Sequence, residues 1–202
     1  MGMSLNSDCK YKLERTDDVS VLSNFFCGVA YMDNFIHNDD GLKLFVEARL
    51  TNLWIVRQEN DIIGFFALSK GSLVLSTQDI CDVKSESNLS FQSLIKDVDS
   101  CPALRIDYLA IRKDYRGRGI GSGILDAIRQ ATLEDKLSST LFLIVDAYDT
   151  NSYSSVEFYR KNFFKMSDYG LTKNQNKMLW QGINPDTKLM YLPLFPLHTF
   201  GS

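Results

Sequence analysis

Apolar and polar positions alternate or repeat along this chain in patterns that predict most of its elements. Residues 10–15 alternate and read as a short first strand. Thr16-Asp17-Asp18 then opens a helix, with acidic side chains suited to its first turn. Val19, Leu22, Phe25 and Phe26 give that helix an apolar face, and Gly28 closes it. From about Tyr31 a second helical pattern runs through Met32, Phe35 and Ile36. Gly41 interrupts it before Leu42, Phe45, Val46 and Leu50. Residues 52–57 and 62–68 are apolar runs joined by Gln58-Glu59-Asn60-Asp61, which predicts a hairpin; the second strand extends past Gly71 toward Leu75. Residues 104–111 form another apolar run, followed by a glycine-rich turn and by Ile120, Ile124, Leu125 and Ile128 at helical spacing. Residues 140–147 read as a strand with both faces covered. A helix is expected over 152–161, a short strand over 163–169 and a final strand over 188–194. Pro193 argues for a sheet edge or a strand end there.

This order predicts an α/β fold with one mixed, mostly antiparallel sheet of six to seven strands flanked by about four helices. The 202 residues suit a single domain spanning 1–202. Residues 1–9 are expected to be a tail. Residues 77–100 and 170–187 are polar and read as insertions, the first with one short helix near 90–97.

Composition narrows the function classes. Hydrophobic content of 45% and charge of 23% are those of an ordinary soluble globular protein. No apolar run approaches the roughly 20 residues a membrane span needs, and residues 1–4 lack the basic and apolar parts of a secretion signal. The four cysteines are scattered with no C-x-x-C pair, and there are only two histidines, so no metal site is expected. Reduced thiols in a cytoplasmic protein are the expectation. The net charge of −3 lacks the basic excess of a dedicated nucleic-acid binder. Locally, however, Arg105, Arg112, Lys113, Arg116 and Arg118 outnumber Asp107 and Asp114.

That basic stretch carries the clearest chemistry. A strand, a glycine-rich turn and an amphipathic helix build an anion site. The first helical turn has unpaired N–H groups and the positive end of the helix dipole. Gly117, Gly119 and Gly121 let a phosphate approach those N–H groups, while Arg116 and Arg118 add positive charge.

Arg116-x-x-Gly119-x-Gly121 after a strand and before a helix resembles the R/Q-x-x-G-x-G/A motif of the GNAT acetyltransferase superfamily. The resemblance spans roughly residues 10–195 and implies an enzyme that moves the acetyl group of acetyl-coenzyme A to a primary amine by direct attack. It implies that Arg116, Gly117, Arg118, Gly119, Ile120, Gly121 and Ser122 hold the diphosphate, and that main-chain groups of Leu109, Ala110 and Ile111 pair with the pantetheine arm. A second segment, Val156-Glu157-Phe158-Tyr159-Arg160-Lys161-Asn162-Phe163-Phe164, resembles the family's A-x-x-F-Y-x-x-x-G-F signature. By that match Tyr159 is the general acid toward the departing sulfur, with Ser155 and Asn151 assigned to the cofactor. Phe163 stands where the signature has glycine, so the turn there is expected to differ. No general base is identifiable among Glu47, Asp146 and Glu157, and His37 and His198 are isolated.

Phe26-Cys27-Gly28 followed by Met32-Asp33-Asn34-Phe35-Ile36 is similar to the C-G…L-D-x-F-L pattern of one GNAT branch. That branch includes toxins that acetylate aminoacyl-tRNA, which implies an antitoxin partner and an RNA acceptor; the acidic net charge argues the other way. A homodimer is a further expectation. The alternative class is a GNAT-fold module that holds coenzyme A without turnover, favoured by the missing glycine at Phe163. A dinucleotide-binding domain fits poorly, because no acidic ribose ligand follows the turn.

Overall fold

A computed structural model describes residues 11–86, 100–168 and 186–195. Its seven strands are β1 (Lys12–Thr16), β2 (Asn52–Gln58), β3 (Asp61–Leu73), β4 (Cys101–Ile111), β5 (Phe142–Tyr148), β6 (Lys165–Met166) and β7 (Thr187–Pro193). The helices are α1 (Ala30–His37), α2 (Leu44–Glu47), α3 (Thr77–Glu86), α4 (Ile120–Glu134) and α5 (Val156–Lys161). The strands form one sheet in the order β1-β2-β3-β4-β5-β7-β6. The pairs β1–β2, β2–β3, β5–β7 and β6–β7 are all antiparallel. The fold is thus the α/β arrangement expected, with seven strands and five α-helices among the described residues against the six to seven strands and about four helices anticipated.

The chain packs as two compact units. Residues 1–69 with 106–134 form the first, and residues 70–105 with 135–202 the second. In the first unit, Leu22, Phe25, Ile36, Leu42 and Val46 from the N-terminal segment pack with Leu53, Ile55, Phe65 and Ala110 from the strands. Phe25 meets Phe65 edge-on, their ring centroids 5.4 Å apart, the preferred geometry for aromatic pairs. In the second unit, Leu73, Val83, Cys101, Ala103, Phe142, Ile144 and Tyr191 make the core. β5 has the nearly continuous apolar run of a strand covered on both faces. Pro193 is the last residue of β7, which lies inside the sheet, so it marks a strand end rather than an edge.

Two local expectations change and one between them holds. The first predicted helix is only a 3₁₀ turn, Val19–Leu22. Asp18 caps it by accepting a 2.9 Å hydrogen bond from Ser20 N, but Phe25 turns into the core while Phe26 stays exposed. Gly41 does break the following helix. A Cβ there would lie 1.9 Å from the Phe35 carbonyl oxygen, so only glycine permits that approach.

The second change concerns residues 77–86, expected to begin an insertion. They form α3, and its start is a reciprocal capping box. Asp79 N donates to Ser76 Oγ at 3.0 Å, and Ser76 N donates to Asp79 Oδ2 at 2.9 Å. Asp79 is buried. Its carboxylate also accepts from Ser167 Oγ at 2.8 Å and Asp168 N at 3.3 Å, which ties α3 to the segment after β6. Val83 completes the anchoring from the apolar side. The helix expected near 90–97, the tail at 1–9 and the 170–187 insertion through residue 185 lie outside the described residues.

Candidate active site

The turn between β4 and α4 is the most chemically specialised part of the first unit. Gly117 and Gly119 have φ of +73° and +78°, in the left-handed region that side chains disfavour. A Cβ on either would meet nothing within 4 Å, so these glycines serve conformation and leave open space beside the main chain. The first main-chain bond of α4 is Gly123 N to Gly119 O, 3.0 Å. The N–H groups of Ile120, Gly121 and Ser122 precede it and, among the described residues, donate to no protein acceptor. No acidic residue sits in the first turn of α4, so nothing opposes the positive end of its dipole. Burial of Ile124, Leu125, Ala127 and Ile128 fixes α4 and hence this turn.

The two arginines are less free than their charge alone predicts. Arg116 Nη2 donates to the Cys27 carbonyl at 2.7 Å and Nε to the Ile111 carbonyl at 3.3 Å. Arg118 Nη2 donates to the Asp114 carbonyl at 2.9 Å. Tyr115 lies between the guanidinium groups of Arg112 and Arg118, at 4.6 and 5.1 Å from its ring centroid. The turn is therefore positively charged and internally braced. Leu109 and Ile111 are half-buried and Ala110 is buried, and Arg112 N donates to Ile63 O at 2.9 Å.

Tyr159 belongs to the second unit. It sits on α5, buried between the rings of Phe158 and Phe164, with centroids 5.0 and 5.3 Å away. Burial, with the nearby Tyr153 a smaller cause, pushes its phenol well above the ordinary tyrosine range, so it is neutral at physiological pH. Ser155 caps α5. Its N and Oγ both donate to the Tyr148 carbonyl, at 2.7 and 3.2 Å. Asn151 is exposed in the preceding loop.

The turn after α5 does not differ as expected. Phe163 itself adopts the left-handed conformation, φ +68°, with its side chain 77% exposed. Asn162 N and Phe164 N both donate to the Tyr159 carbonyl at 3.0 Å, closing the helix as glycine would. The carboxylates weighed as bases have other occupations. Asp146 pairs with Arg105 and Glu157 with Arg160, while Glu47 is exposed. His37 Nε2 donates to the Phe25 carbonyl at 3.0 Å; His198 lies outside the described residues.

Asp33 was not legible as a site residue. Its two carboxylate oxygens accept from Cys27 N at 2.7 Å and Gly28 N at 2.9 Å. The only sequence signal was its place in the Met32–Ile36 pattern.

The comparisons with known proteins agree with this geometry. Residues 49–165 match the model of the acetyltransferase (GNAT) domain, more than half of the chain and including both the turn and Tyr159. No curated protein sequence is significantly similar. Among solved structures, a tyrosine-to-phenylalanine variant of KacT superimposes with a TM-score of 0.61 at 15% identity, covering 92% of this chain and 96% of KacT. AtaT complexed with acetyl-methionyl-tRNAfMet gives 0.62 at 17% identity, covering 91% and 94%. AtaTR bound with AcCoA gives 0.61 at 16% identity, covering 92% and 94%. At these identities the likeness establishes the fold. No helix among the described residues is long and apolar enough to cross a membrane. With the family model matched across the turn, α4 and α5, the chain belongs to the GNAT acetyltransferases, acyl-CoA-dependent enzymes.

Proposed function

We propose that this protein transfers the acetyl group of acetyl-coenzyme A to a primary amine by direct attack in a ternary complex. The observation that carries the residue roles is the row of undonated N–H groups at Ile120, Gly121 and Ser122, opened by Gly117 and Gly119. These main-chain groups take the diphosphate. Main-chain groups of Leu109 and Ala110 take the pantetheine arm; the Ile111 carbonyl is already engaged by Arg116. Ser155 and Asn151 remain assigned to the cofactor on the family signature alone. The amine nitrogen attacks the thioester carbonyl, the carbon–sulfur bond breaks, Tyr159 gives its proton to the departing thiolate, and the proton that the nitrogen sheds passes through solvent to restore the phenol.

Burial keeps the phenol protonated, so the donor is always loaded. In water a phenol of pKa about 10 protonates a thiolate of about 8.5 at a cost of roughly 2 kcal/mol, and the burial that raises the phenol adds to that cost. Against it stands the contribution of a positioned proton donor, about 10²–10⁴-fold in rate. The reading as a non-catalytic module loses its main support, since Phe163 keeps the turn that glycine would make.

A second reading names the acceptor as aminoacyl-tRNA and a partner as an antitoxin. It is favoured by the likeness to AtaT, solved with acetyl-methionyl-tRNAfMet and, as a mutant toxin, bound to the C-terminus of the antitoxin AtaR. Arg112, Lys113, Arg116 and Arg118 give local positive charge, against a net charge of −3. A single domain over 1–202 and a homodimer complete the proposal, the latter checked by light scattering.

The test is an acceptor panel with radiolabelled acetyl-coenzyme A, containing small amines, peptide amines and charged tRNA. Turnover with any of these supports the transferase. Label appearing only on aminoacyl-tRNA, with a rate that falls steeply with salt, supports the second reading. Coenzyme A binding without turnover on any acceptor would restore the module reading.

A further inference from the structure

We infer that Asp33 is a positioning residue for the diphosphate turn, acting through the peptide bond between Cys27 and Gly28 and through Arg116. This inference rests on the turn being the coenzyme A site.

One peptide group is held between two opposite charges. Its N–H, on Gly28, donates to Asp33 Oδ2 at 2.9 Å. Its carbonyl, on Cys27, accepts from Arg116 Nη2 at 2.7 Å. A carboxylate and a guanidinium on either side polarise the same amide, and hydrogen bonds in such a chain strengthen one another. The second oxygen of Asp33 takes Cys27 N at 2.7 Å, so the carboxylate grips two successive amides and fixes the peptide plane. Gly28 turns there with φ +79°, and its α-carbon side faces the aliphatic stem of Lys113, to whose Cδ a Cβ would come within 3.4 Å. Cys27 is buried while Gly28 and Arg116 are exposed, so the Cys27 end of this chain of bonds is the end shielded from water.

The far end of the chain is the turn itself. Arg116 is the first residue of the glycine-rich segment. Nε donating to the Ile111 carbonyl ties it to the end of β4, while Nη2 ties it to the Cys27 carbonyl. The guanidinium therefore works as a strut between β4 and the segment before α1. A Cβ on Gly117 or Gly119 would meet nothing within 4 Å, so no side-chain packing acts directly on those two residues. Buried α4 fixes the far end of the turn, the strut fixes its near end, and Asp33 holds the strut's anchor point. A lysine at 116 could not span both carbonyls, because its ammonium is a point charge rather than a planar fork.

The experiment is a double-mutant cycle in coenzyme A affinity, read by calorimetry on the full chain: wild type, D33A, R116A and D33A/R116A, with D33N and R116K alongside. Each single alanine variant is expected to weaken coenzyme A about tenfold, and the double variant no more than about tenfold in all, because both remove one device. D33N retains an acceptor for one amide and is expected to fall between; R116K is expected to behave like R116A. Hydrogen exchange on unliganded protein adds a second readout. Amides of residues 117–122 are expected to exchange faster in D33A while the middle of α4 is unchanged. D33A binding coenzyme A like wild type overturns the inference, and so do losses that multiply in the double variant. If D33A does not fold, the D33N/R116K cycle decides on the same criterion. Wild-type protein that binds no coenzyme A would instead defeat the underlying reading of the turn, and the inference with it.

Discussion

The turn before α4 and the turn after α5 both contain residues with positive φ, but for different ends. Before α4 they are glycines with open space where side chains would stand. After α5 the residue is Phe163, whose side chain projects outward. The first turn needs the backbone conformation and the vacancy; the second needs only the conformation. A left-handed phenylalanine carries a steric penalty of about 1–2 kcal/mol, yet it still lets α5 close and leaves Tyr159 buried. The first turn exposes polar groups and the second hides one, so a substitution in one should alter binding and in the other rate or stability.

The sharpest break between the two would come from Tyr159→Phe. Turnover is expected to fall by about 10²–10⁴-fold with coenzyme A affinity retained, measured by steady-state rates beside calorimetry. Equal loss of affinity would place Tyr159 in binding instead. Next in size, Gly119→Val should cost coenzyme A binding about a hundredfold, by filling the space beside the turn and straining φ, while Tyr159 remains buried. Retained affinity in that variant would remove the diphosphate from this turn.

Phe163→Gly tests the opposite claim. The left-handed penalty disappears, offset by the greater unfolded-state freedom of glycine, and the net gain expected is about 0.5–1 kcal/mol in denaturant unfolding, with turnover unchanged. Last comes an effect that is absent at neutral pH and lies at Cys27, whose main chain belongs to the brace of the first turn. Burial, the largest cause, raises the Cys27 thiol from 9.0 to about 11. The unfolded chain releases this proton first, so stability is full below pH 9 and declines as pH rises toward 11. Cys27→Ala should flatten that decline in unfolding curves taken across the interval.

Much of this was legible in the residues. The strands announce themselves as apolar runs, and β5 in particular cannot be anything but covered on both faces. The glycine turn before α4 was legible because its requirement is local: glycines at set offsets ahead of a helix. What was not legible depends on distant partners. Arg116 reads as a phosphate-facing charge until the Cys27 carbonyl, 89 residues earlier, is found beside it. Residues 16–28 carry a helical apolar pattern, yet only a 3₁₀ turn forms; Phe25 enters the core against Phe65 rather than continuing a stripe. Phe163 misleads because residue identity stands in for conformation, and a side chain with room outside can occupy a glycine's backbone state.

α3 was hidden for another reason. Its surface is polar, and its signal is a Ser76–Asp79 capping pair rather than a stripe of apolar side chains. Having been found, that pair changes what trimming this protein would mean. Excising residues 77–100 to obtain a minimal enzyme would take away the buried carboxylate to which the Ser167 hydroxyl and the Asp168 amide both donate beside β6. A shortened version would have to keep that carboxylate, or supply another in its place, to preserve the link to that strand end.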